Sequence, residues 1–106
     1  MARKPSHAQK PSSGKTIVCI DDQIEYLEAT RSILEREGHT VHLATSGREG
    51  LGLLERERVD LLLLDYFMPE MSAEDVLASV RDPSLQIVLL TGYSTEKRPH
   101  EMLDRL

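Results

Sequence analysis

At 106 residues and 40% hydrophobic content the chain is sized for one domain, and 4% aromatic residues, with no Trp and one Phe, leave Leu, Ile and Val to build its core. Four of the thirteen basic residues, Arg3, Lys4, Lys10 and Lys15, lie in residues 1–15 with none of the eighteen acidic ones, so the net charge of −5 divides into a basic leader and a body at −9. An acidic body argues against direct nucleic-acid binding and suits divalent cations, no apolar run is long enough for membrane insertion, and the lone Cys19 forms no intrachain disulfide; a cytoplasmic protein is expected.

Residues 1–14, rich in Pro, Ser and Lys, offer nothing to bury and are expected to form a disordered basic leader, with one domain over 15–106. Thr16 opens a β-branched strand, TIVCI, that stops at Asp21 and Asp22. Ile24, Leu27, Thr30 and Leu34 then fall on one side of a 3.6-residue period, and Gly38 closes that helix. A short strand follows with Val41 and Leu43 on one face. Ser46 caps a helix carrying Leu51 and Leu54, which Gly50 and Gly52 should weaken by about 1 kcal/mol each relative to Ala.

The run VDLLLLD at 59–65 lacks alternation, as a strand buried on both faces does in a parallel sheet. Met68-Pro69 breaks the chain, Ser72 caps a short helix through Arg81, and Asp82-Pro83 ends it before a fourth apolar strand, QIVLL. A polar stretch after Thr91 and Gly92 leads to a helix expected from about Glu96 with Met102, Leu103 and Leu106 apolar. Four strands alternating with helices predict an α/β fold, a doubly wound parallel sheet with right-handed crossovers.

In that topology Asp21 and Asp22 end the first strand, Asp65 the third and Thr91 the fourth, so all four meet at the carboxyl edge where such sheets bind ligands. Clustered carboxylates repel one another, and a hard divalent cation such as Mg2+ neutralises them while also bridging an oxygen of an incoming phosphoryl group. Asp65 is then positioned as an attacking nucleophile, with the Thr91 hydroxyl and nearby amides as donors. Singly, an Asp pair after a strand is also a helix cap, and a strand-ending Asp is also a turn residue. His39, His42 and His100 lack metal-ligand spacing.

The segments IDD at 20–22, LLLLDYFMPEM at 61–71 and LLTG at 89–92 resemble the hallmark segments of bacterial response-regulator receiver domains, the phosphoacceptors of two-component signalling, from about Thr16 onward. The resemblance implies a flavodoxin-like receiver fold in which Asp21, Asp22, Asp65 and the Phe67 backbone carbonyl hold Mg2+. It further implies that Asp65 takes a phosphoryl group from a histidine kinase and that Thr91 is the switch hydroxyl that alters binding of a downstream protein partner. Such a domain is expected not to be an enzyme beyond its own phosphorylation and autodephosphorylation. Phe67 and Tyr93, two residues beyond Asp65 and Thr91, are large enough to hinder an attacking water, so autodephosphorylation is expected to be slow.

Three features depart from the family pattern. The fifth strand, with the Lys at its end, and the fifth helix do not follow; Lys97, six residues after Thr91, is too near to be that Lys; and Ala73 stands where Gly is frequent. Without a fifth strand, QIVLL becomes an exposed edge. A fragment, a homodimer covering the missing strand, or a truncated receiver paired with another protein each account for this. The alternative function is a phosphorylation-independent dimerisation or protein-interaction module. A phosphatase on the same type of sheet would place a second Asp where Phe67 stands, and is set aside.

Overall fold

The computed structural model describes residues 14–68 and 70–90. Residues 1–13 of the expected leader, Pro69, Thr91, Gly92, Tyr93 and the helix anticipated from Glu96 lie outside those residues. The described chain alternates β1 (Thr16–Ile20), α1 (Ile24–Arg36), β2 (Thr40–Ala44), α2 (Gly47–Arg56), β3 (Leu61–Asp65), α3 (Ala73–Ser79) and β4 (Gln86–Leu90). All pairings are parallel and the strand order is β2-β1-β3-β4, the doubly wound arrangement anticipated.

Strand alternation splits the core into two layers. Val18, Ile20, Leu62 and Leu64 face α2 and α3, meeting Leu51, Leu54, Ala73 and Val76, while Ile17, Cys19 and Val41 face α1 through Leu27 and Leu34. Every residue of β1 is buried, as a central parallel strand covered on both faces requires. The α1 face is narrower than its periodicity promised: Leu27 is buried, but Ile24 is 43% exposed.

Helix ends follow local chemistry. Gly38 at φ 97° ends α1 in a Schellman turn, with His39 N donating to Leu34 O at 3.1 Å and Gly38 N to Glu35 O at 3.0 Å. Ser46 caps α2 by accepting from Glu49 N at 3.1 Å, and Ser72 caps α3 from Asp75 N at the same distance. Two boundaries differ from expectation. The third strand starts at Leu61 rather than Val59, preceded by Asp60, whose carboxylate accepts from Thr16 N at 2.8 Å. Helix α3 stops at Ser79 rather than Arg81, where Val80 becomes extended and packs into the larger core layer.

Ala73 is fully buried as the first residue of α3, so it shapes the helix start and not the preceding loop.

Candidate metal centre at the strand ends

The chain passes from β1 to β2 on one side and then crosses to β3 on the other. The order therefore reverses between β1 and β3, and their carboxyl ends frame the crevice. Asp21 and Asp22 follow β1 and Asp65 closes β3. One carboxylate oxygen from each lies within 4.8 Å of the others. Asp65 is wholly buried, Asp21 is 7% exposed and Asp22 is exposed, so the cluster is deep on one side and open to solvent on the other.

Backbone amides hold two of these carboxylates. Gln23 N donates to Asp21 Oδ1 at 2.9 Å and Phe67 N to Asp65 Oδ1 at 3.3 Å, each two residues ahead in an Asx turn that begins as the strand ends. Asp21 N also donates to Ala44 O at 3.1 Å, continuing the ladder past Ile20 and fixing where the pair emerges. An all-oxygen trio of this kind, buried at Asp21 and Asp65 and open at Asp22, is a hard donor set, which suits Mg2+ and other oxygen-seeking divalent ions and fits no soft metal.

Asp65 pairs in register with Leu90, the residue before Thr91 in the chain. Next to Asp65, Tyr66 donates its backbone N–H to Leu90 O at 3.3 Å and its hydroxyl to Glu74 Oε2 at 2.6 Å. The half-buried Phe67 packs on the larger core layer, with its ring edge-on to Tyr66 at 5.2 Å between centroids. The Tyr66–Glu74 pair went unnoticed in the sequence, where its only signal is a Tyr before the Met-Pro turn and a Glu in the next helix's first turn.

Among the described residues, neither histidine joins the cluster. His39 Nδ1 accepts from Lys15 N at 3.0 Å, and His42 Nε2 lies 3.9 Å from Glu57. A groove of about 590 Å3 lined by Leu54, Val59, Asp60, Val80 and Leu85 sits at the opposite, amino ends of β3 and β4, away from the carboxylates. No helix among the described residues is long and apolar enough to cross a membrane.

The profile of the response-regulator receiver domain matches residues 17–105, nearly the whole chain. The chain belongs to the response-regulator receiver domain family. Among curated relatives, it is 32% identical over 97 residues to the transcriptional regulatory protein GlrR of Escherichia coli, covering 90% of this chain and 20% of GlrR. It is 36% identical over 85 residues to a 14.6 kDa protein of Leptolyngbya boryana, covering 76% of this chain and 65% of that one. This receiver domain thus spans less than two thirds of either relative. Among solved structures it is similar to the response regulator TrrA of Thermotoga maritima in complex with Mg2+ and BeF, at TM-score 0.70 and 33% identity, covering 76% of this chain and 71% of that one. A receiver domain of Clostridium thermocellum matches at TM-score 0.70 and 28% identity over 86% of this chain and 74% of its own.

Proposed function

We propose that this receiver domain is a phosphoacceptor of a two-component system, taking a phosphoryl group from the phosphohistidine of a histidine kinase onto Asp65 in a Mg2+-dependent reaction. The observation that carries the reading is the wholly buried Asp65 converging with Asp21 and Asp22 at the switch point of the sheet. Asp21, Asp22, Asp65 and the Phe67 carbonyl would hold the ion. When bound, Mg2+ supplies the positive charge that lets a phosphoryl group approach a carboxylate.

An Asp65 carboxylate oxygen attacks phosphorus, the phosphorus–nitrogen bond to the kinase imidazole breaks, and the departing imidazole nitrogen takes up a proton. The Phe67 amide, which donates to Asp65 Oδ1 at 3.3 Å, holds the nucleophile in place during the attack. Thr91, next in the chain after the register partner of Asp65, serves as the switch hydroxyl toward a phosphoryl oxygen, and its movement alters binding of a downstream protein.

The test is intact-mass measurement after incubation with acetyl phosphate. The expected result is one added phosphoryl group with Mg2+, none with a chelator and none in Asp65→Asn. Equal gain in wild type and Asp65→Asn would place the chemistry elsewhere.

One observation favours a second reading, a phosphorylation-independent assembly module. β4 is the outer strand among the described residues and Val88 is 44% exposed on its α1 face, an apolar surface a second copy would cover. A folded sample that self-associates yet gains no phosphoryl group would move the assignment there.

A further inference from the structure

We propose that Tyr66 is a positioning residue for the metal-binding loop, holding Phe67 at the start of that loop in place through its hydrogen bond to Glu74. The inference rests on the reading of the site given above and adds to it a determinant of ion affinity.

The loop from Phe67 to Ser72 joins the buried end of β3 to the cap of α3, and it carries Phe67, whose carbonyl is the one proposed ligand that is not a side chain. A loop carbonyl contributes to affinity only if the backbone is already in place when the ion arrives. Capping by Ser72 fixes the far end of the loop. At the near end, Tyr66 is 8% exposed, and its backbone N–H is committed to Leu90 O.

Between these two anchors the Tyr66 hydroxyl donates to Glu74 Oε2 at 2.6 Å, a part-buried bond between residues eight apart. That length is typical of a hydroxyl donating to an ionised carboxylate, roughly twice as strong as a neutral bond. It closes the loop into a ring whose two sides are the strand end and the first turn of α3. The edge-on contact between the Tyr66 and Phe67 rings ties the first loop residue to the same clamp.

The Glu74 carboxylate accepts from Tyr66, and Glu74 is not one of the three acidic residues whose oxygens converge.

The experiment compares the wild-type chain, Tyr66→Phe, Glu74→Ala, the double variant of these two, Glu74→Gln and Leu77→Ala by calorimetric Mg2+ titration, thermal unfolding, and hydrogen exchange at the amides of Phe67, Met68 and Glu70–Ser72 without metal. Positioning contacts of this kind change metal affinity by roughly 10- to 100-fold. Tyr66→Phe and Glu74→Ala are expected to weaken Mg2+ binding by about tenfold and to speed loop exchange, with the double variant no worse than either. Glu74→Gln, which keeps an oxygen acceptor, is expected to restore most of the affinity. Leu77→Ala, which removes packing from the same helix, is expected to lower the unfolding temperature and leave the Mg2+ affinity unchanged.

Unchanged affinity and exchange in Tyr66→Phe would overturn the inference, as would an equal loss of affinity in Leu77→Ala. If wild type bound no Mg2+ while Tyr66→Phe still loosened the loop, the metal assignment would fall and the clamp would stand as a loop restraint. If neither occurred, both would fall.

Discussion

Asp65 owes its chemical position to what surrounds one side chain. It ends a fully apolar strand, is wholly buried, and accepts from the amide two residues on. Cys19, two residues before Asp21 on β1, shows the opposite use of burial. Desolvation, assisted by the negative charge of Asp21, pushes its thiol from 9.0 to about 12. The folded state thus favours the neutral thiol, and this contribution to stability, complete below pH 9, is lost as the pH rises toward about 12. At pH 8 a thiol reagent is expected to label the native chain far more slowly than the urea-unfolded chain; equally fast labelling of both would show that Cys19 is accessible.

The acidic trio is legible in the sequence at this scale, because a parallel sheet brings strand-end residues together whatever their separation in the chain. The Tyr66–Glu74 bond is not, since a pairing across a turn depends on the path of the loop, which residue types alone do not specify. Thr91 is assigned from the sequence and lies outside the described residues.

At the scale of elements, α2 shows what propensity alone misses. Gly50 and Gly52 both disfavour a helix, and the sequence marks α2 as weak for that reason. The structure separates them. A Cβ on Gly50 would collide with the Ile20 side chain of β1, whereas one on Gly52 would meet only the Arg56 Nη1 atom at 3.2 Å, the mobile end of a long side chain. Gly50 is therefore the point where α2 lies directly on the sheet, close to the end of the strand that presents Asp21 and Asp22.

Gly50→Ala is expected to destabilise by about 1–3 kcal/mol through overpacking, and Gly52→Ala to stabilise by roughly 0.5–1 kcal/mol through helix propensity. Urea unfolding checks both, and a stabilising Gly50→Ala would refute the close-packing account. Serine caps and the Gly38 turn are visible in the sequence because their chemistry is local. The end of α3 falls two residues earlier than the sequence suggests because Val80 leaves the helix for a tertiary reason, its packing into the core.

For the whole molecule, three converging carboxylates are a standing cost that a divalent ion relieves. Mg2+ at about 100 times its dissociation constant should add roughly 2.7 kcal/mol to the unfolding free energy. Asp22→Asn removes one charge from the trio at its exposed side. This variant is expected to be more stable than wild type by about 0.5 kcal/mol without divalent ions and to gain much less from Mg2+. Denaturation with and without the ion measures both effects, and an undiminished Mg2+ gain in Asp22→Asn would remove that residue from the site.

The fold as a whole follows from the alternation of apolar strands and amphipathic helices. What the alternation does not convey is the partial cover on the α1 side, where Val88 is exposed on the sheet face, because residue polarity does not reveal how much of a sheet face one helix reaches.

The central claim is that Asp65 carries the phosphoryl group, and the most direct measurement is borohydride reduction of the chain after phosphorylation, followed by peptide sequencing by mass spectrometry. An acyl phosphate on Asp65 is reduced to homoserine at position 65, dependent on Mg2+ and absent without the phosphodonor; that is the expected result. Homoserine at another aspartate, or none anywhere in a folded sample that has gained a phosphoryl group, would contradict it.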